Sequence, residues 1–156
     1  YNTIFSEEYN NTLFVSSGGG GAMERNASIA LKIIGKAFSD TRLYLLKDRD
    51  GISDANRQNF LNTDRTNRML KRNEIENYLF DKEILSKYCT VVSSNFNEER
   101  YNSMVTDVNL QDLKPLQHHF KACCGFSGSI TDFKHEMAKM ITNETSVYRE
   151  LKNVIF

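Results

Sequence analysis

The chain has 156 residues, 40% of them hydrophobic and 26% charged, which fits one soluble globular domain and excludes a disordered tail. No apolar run approaches about 18 residues, so a membrane-spanning helix is excluded. Lys+Arg and Asp+Glu each number 20; a domain that only grips nucleic acid carries a clear basic excess, so the zero balance leaves room for a site in which acids and bases are segregated.

The chain begins Tyr1-Asn2-Thr3-Ile4-Phe5, without the basic-then-apolar pattern of a signal peptide, and reads as an internal piece of a larger protein. Residues 12–16, a short apolar run bounded by Asn and Gly, predict a buried strand. Gly18 to Gly21 predict a sharp exit, and residues 22–38 a helix with Ile29, Leu31, Ile33, Ile34, Ala37 and Phe38 on its apolar face. Leu43-Tyr44-Leu45-Leu46 predicts a second buried strand, and two unalternating strands joined by a helix suggest a parallel βαβ unit. Residues 54–68 read as loop and helix, followed by a short strand near Met69 and Leu70 and a helix from near Glu74. Beyond Asp81 the pattern predicts helices over 81–88, 97–105, 110–124, 129–141 and 146–154, with Pro115 in a first helical turn or at a kink. The expected fold is therefore an α/β part over 1–90 with a helical subdomain, 91–156, packed on it.

Cys89, Cys123 and Cys124 are odd in number and include an adjacent pair, which argues against a disulfide framework and for reduced thiols in a cytoplasmic protein. On that reading, the glycosylation sequons at Asn10, Asn26 and Asn143 are chance matches. His119 and Cys123 stand four apart on a predicted helix, but zinc needs four convergent ligands and the other histidines are His118 and His135. Small buried cysteines are the better reading, with Phe120, Phe126, Phe133, Met137 and Met140 as core.

The strongest chemical signal is Leu45-Leu46-Lys47-Asp48-Arg49-Asp50-Gly51. Two carboxylates follow a buried strand, at the end of a sheet where α/β proteins gather ligands. Residues i and i+2 of an extended strand point the same way. Paired anions need a cation or a raised pKa, and a hard ion such as Mg²⁺ or Mn²⁺ suits oxygen donors. Downstream, Arg72-Asn73-Glu74-Ile75-Glu76-Asn77-Tyr78-Leu79 sets Glu76 among apolar neighbours, where a carboxylate needs a partner or a metal.

Taken together, the glycine turn after an apolar run, Asp48-x-Asp50 after a strand, and the Ile75-Glu76-Asn77-Tyr78-Leu79 signature resemble the TOPRIM domain of OLD-family, ATPase-linked nucleases and related bacterial defence proteins. The resemblance covers residues 1–90 well and the helical remainder loosely. It implies a truncated TOPRIM-like parallel sheet, metal-dependent DNA phosphodiester cleavage, and Asp48, Asp50 and Glu76 as catalytic metal ligands for Mg²⁺ or Mn²⁺. It also implies an upstream ATPase domain of the same protein that binds ATP outside this chain, DNA as partner, a homo-oligomeric parent and no membrane. TOPRIM domains open with a strand ending in Glu-Gly. No such pair occurs here, and Glu7 and Glu8 have no following glycine, so the fragment is expected to be catalytically incomplete. Lys47, directly before Asp48, either points away from the carboxylates or competes with a metal.

Two other readings stay open. Asp48-x-Asp50 after a strand also resembles the haloacid-dehalogenase phosphatases, with Asp48 as nucleophile and Asp50 as acid/base, although no later acidic pair stands out. The other alternative is a non-catalytic TOPRIM-like scaffold for assembly beside an ATPase. An EF-hand is excluded, since its twelfth position would be Asn59, and a Walker A loop is excluded by the missing Gly-Lys-Ser/Thr. Arg57, Arg65, Arg68, Lys71 and Arg72 form a basic stretch. Arg65, Arg68, Lys71 and Arg72 are its candidate contacts to a nucleic-acid backbone, against a solvated face as the plainer alternative.

Overall fold

The computed structural model describes residues 1–15, 33, 34, 36 and 42–156. Ile33, Ile34 and Lys36 are helical; the rest of the predicted 22–38 helix and the Gly18–Gly21 turn lie outside the described residues. The fold is mixed α/β, mostly helical, with a small parallel sheet of two strands, β1 (Leu45–Lys47) and β2 (Asn67–Met69). Leu45 pairs with Asn67, Leu46 with Arg68 and Lys47 with Met69.

The chain opens with a short helix, α1 (Asn2–Phe5). The buried strand expected over 12–16 does not form in its described part. Thr12 to Val15 have no regular structure, and Leu13 and Val15 are 76% and 78% exposed. The Asn2 side chain both accepts from Phe14 N and donates to Phe14 O, so this backbone is satisfied by α1 rather than by a sheet partner. Phe14 stacks on Tyr1 and Phe5, which accounts for the apolar run by ring packing. The parallel βαβ unit lies one step later than the sequence suggests. It runs from β1 through α2 (Asp54–Thr63) to β2.

α2 starts where Ser53 accepts from Asn56 N, with Asp54 in the first turn. It buries none of its residues fully and serves as a surface crossover. α3 (Glu76–Leu79) is one turn, with every residue buried. α4 (Lys82–Val91) is capped by Asp81 and α5 (Glu98–Met104) by Asn97. Lys114–Leu116 is a single 3₁₀ turn with Pro115 at its start, where a missing N–H costs nothing, and it runs into α6 (Gln117–Cys123). α7 (Ile130–Met140) opens with a Ser129/Asp132 capping box, and α8 (Ser146–Ile155) is capped by Thr145. The helices expected beyond Asp81 are all present within a few residues of their predicted bounds, except that 110–124 begins as this 3₁₀ turn.

One hydrophobic cluster runs from Ile4 and Phe5 through Leu70, Tyr78, Phe80, Phe120 and Phe133 to Leu151 and Ile155. Phe80 lies between Phe120 and Phe133, with ring centroids 5.3 and 5.9 Å away. Each fully buried ring of this kind contributes roughly 1.5–3 kcal/mol. The N-terminal segment closes on α8. Phe5 packs on Tyr148 and Phe156, and Glu8 accepts from Tyr148 and Lys152. Cys89 and Cys124 sit in this core, Phe120, Phe133 and Met137 are fully buried there, and Phe126 and Met140 pack against it. Among the described residues, no helix is long and apolar enough to cross a membrane.

Candidate functional site

β1 ends at Lys47, and the next residues turn sharply. Asp50 has φ +48° and Gly51 φ +74°. Glycine takes this left-handed conformation freely, and aspartate is among the few other residues that tolerate it. The strand therefore does not extend through Asp50 as expected; Asp48 is half-buried at the strand end and Asp50 is exposed at the turn tip. Lys47 turns its ammonium over the Phe60 ring, 5.1 Å from the centroid.

The turn is fastened from below by Asn73. Its carbonyl accepts from Arg49 N (2.8 Å) and Asp50 N (3.1 Å), and its side chain accepts from Gly51 N at 2.6 Å. Arg49 is buried and locks the other side. It donates to Ile52 O and Lys71 O and pairs with Asp54 at 3.1 Å. Asn77, wholly buried, accepts from Glu74 N and donates to Val108 O and Gln111 O. These bonds bring the carboxylates of Glu74 and Glu76 to the carboxyl end of β1.

The result is an acidic pocket. Asp48 holds its proton up to a pKa of about 6, first because burial disfavours its charge, then because Asp50, Glu76 and Glu74 repel it, with Lys114 opposing. Glu74 and Glu76 are buried, and each meets a lysine. Lys114 stands 2.7 Å from Glu74 Oε2 and Lys134 donates to Glu76 Oε1 at 2.8 Å. The Lys114 ammonium compensates that shielded oxygen, and Glu74 in turn raises the proton affinity of Lys114. The Tyr1 phenol faces the same pocket; burial raises its proton affinity most, and Asp48, Tyr78 and Glu76 raise it further.

The structure thus brings Asp48, Asp50 and Glu76 within electrostatic reach of one another. It adds Glu74, Lys114, Lys134 and the two fastening asparagines, which the sequence did not single out as site residues. Asn73 and Asn77 did carry a signal, being amides inside an otherwise apolar or acidic motif. The lysines arrive from distant parts of the chain, Lys134 from 58 residues beyond Glu76, and nothing local marks them. Carboxylate oxygens suit a hard divalent cation by donor type, though here Glu74 and Glu76 each already face a lysine. Among the described residues, no three His, Cys, Asp or Glu side chains already converge as a ligand set.

The predicted basic contacts separate into two kinds. Arg65 and Lys71 are exposed. Arg68 is half-buried, donates to Ile155 O, Arg65 O and Asn67 O, and lies over the Tyr44 ring. Arg72 is 6% exposed and spent on Glu150, Asp81 and Asn77 O, so its place among surface contacts to nucleic acid is corrected: it is an internal strut. No family model, curated protein or solved structure matches this chain.

Proposed function

We propose that this chain is the TOPRIM-like part of an ATPase-linked nuclease of the OLD type, and that its acidic pocket serves metal-dependent cleavage of DNA phosphodiesters in the parent protein. The observation that carries the reading is Asp48: a half-buried carboxylate at the carboxyl end of a parallel strand, its pKa pushed up to about 6 first by burial and then by Asp50, Glu76 and Glu74 around it. Such crowding is a cost that a bound cation would relieve. Asp48, Asp50 and Glu76 would hold Mg²⁺ or Mn²⁺, and the ion would polarise a phosphate oxygen and acidify water. Glu74 would support the set from behind. Lys114 and Lys134, at 2.7 and 2.8 Å from their carboxylates, would keep the pocket from flying apart before an ion arrives. The ATPase domain, the ATP it would bind, and any oligomer belong to the parent in this reading.

The test is nicking of plasmid DNA by the parent protein with Mg²⁺ or Mn²⁺, wild type against Asp48→Ala. Loss of nicking in the variant is expected, and equal nicking by both would overturn the assignment. The same pair of lysine contacts favours a second reading, a non-catalytic assembly domain, because Glu74 and Glu76 are already neutralised without a metal. Absence of Mn²⁺ binding to wild type by calorimetry would select it.

A further inference from the structure

A groove of about 340 Å³ lies away from the acidic pocket, between α2, β2 and α8, lined by Arg57, Leu61, Asn67, Arg68, Asn153 and Phe156 among others, none of them acidic. β1 occupies one edge of β2; Met69 O and Asn67 O face the other, where among the described residues no strand pairs. Arg57 and Arg68 cap those carbonyls. Arg57 Nη2 donates to Met69 O at 2.9 Å and Nε to Leu70 O at 3.0 Å. Arg68 Nη1 donates to Asn67 O and Arg65 O, both at 2.8 Å, and Nε to Ile155 O at 3.0 Å.

This capping meets only part of the arginines' charge. All five bonds go to neutral carbonyls, and two guanidinium groups carry ten N–H donors in all, so about half remain for something else. Arg49 and Arg72 each meet a carboxylate. Among the described residues, Arg57 and Arg68 meet none. Two arginines without a carboxylate partner thus share a groove that is free of acids among the described residues, with Arg68 also resting over the Tyr44 ring and on the carbonyl end of α8. Asn153, exposed on α8, stands at its mouth with its amide, while the Asn67 amide is already committed to Phe60 O and Thr63 Oγ1. A guanidinium matches a tetrahedral oxyanion with paired N–H bonds, and a phosphate carries the charge that two of them would neutralise.

The geometry points to a phosphate-binding subsite in this groove, with Arg57 and Arg68 as the charged donors and Asn153 at the rim. The phosphate comes either from a nucleic-acid backbone or from a free phosphate compound. The subsite goes beyond the nuclease reading and needs no metal, so it is tested in EDTA and stands or falls separately from the acidic pocket.

The whole chain is titrated with a fluorescently labelled DNA duplex by anisotropy across a salt series, and with inorganic pyrophosphate by calorimetry. Asn153→Glu places a carboxylate at the rim without touching either arginine's strand contacts, and Asn153→Gln is the neutral control. For a nucleic-acid backbone, Asn153→Glu weakens duplex binding by about tenfold and lowers the log–log salt slope by roughly 1–2, while Asn153→Gln binds as wild type. For a free phosphate compound, duplex binding is unchanged and pyrophosphate binding is lost in Asn153→Glu alone. Binding of neither probe by wild type, or identical binding by wild type and Asn153→Glu, overturns the subsite.

Discussion

If burial and the neighbouring carboxylates both disfavour the Asp48 charge, removing that charge should stabilise the protein. Its carboxyl pKa rises from an ordinary 3.8 to about 6 in the fold. At 1.36 kcal/mol per pH unit, that gap corresponds to about 3 kcal/mol opposing the ionised native state. Asp48 is half-exposed, so solvent screening reduces the cost to roughly 1.5 kcal/mol. The sign follows from proton linkage. The folded state binds the proton more tightly than the unfolded chain, so the penalty is absent well below pH 3.8, grows as pH rises towards 6, and is full above it. Asp48→Asn, close in shape and uncharged, should therefore melt about 3–6 °C higher than wild type at pH 8 in EDTA. The gain should shrink to a small fraction near pH 4. Thermal unfolding followed by circular dichroism at both pH values reads this directly. The same gain at both pH values, or a loss at pH 8, would refute the argument that burial and repulsion disfavour this charge. Added Mg²⁺ should raise the wild-type midpoint and leave that of Asp48→Asn in place.

Arg72→Met leaves Glu150 and Asp81 without their shared cation, and the buried-pair penalty predicts a loss of about 3–5 kcal/mol in urea unfolding, with no direct effect on nucleic-acid contacts. Asn77→Ala strands Glu74 N, Val108 O and Gln111 O, and should cost roughly 2–4 kcal/mol by the same measurement. It should also loosen 105–113, seen as faster amide hydrogen exchange there. Ser129→Ala removes one half of the α7 capping box and should cost about 1 kcal/mol, a small downward shift of the thermal midpoint.

The helical part was legible because its signals are local. Asp81, Asn97, Ser129 and Thr145 each cap the helix that follows, and apolar spacing marks the buried faces of α4, α7 and α8. β1 was legible from Leu45 and Leu46. Residues 12–15 were misread because Phe14 is apolar for a different reason: it stacks in an aromatic cluster with Tyr1 and Phe5 rather than lying in a sheet. Asp48 and Asp50 share a short motif, but the expected strand extension ignored the turn chemistry of Asp-Gly, which takes both residues to positive φ. Arg72 could not be sorted from Arg65 by the basic pattern alone, since what separates them is the set of partners that the fold brings to Arg72: Asn77 O, Asp81 and, 78 residues further on, Glu150.

The zero net charge resolves into a spatial argument. The chain fastens its acids together through amides: Asn73 ties the Asp48–Gly51 turn to the segment carrying Glu74, and Asn73 N donates to Asn109 O. Asn77 ties that segment again to Val108 and Gln111, a few residues before Lys114. The turn, Glu74 and the stretch from Val108 to Gln111 are therefore linked directly through hydrogen bonds between neutral groups. Charged contacts add to this frame: Arg49 holds the far side of the turn with Asp54, and Lys114 and Lys134 hold Glu74 and Glu76. The acids are therefore gathered by two kinds of fastener, and only the amide bonds are indifferent in charge to the protonation of Asp48. A change of ionisation should thus be felt first at the lysine contacts and last at the Asn73 and Asn77 bonds.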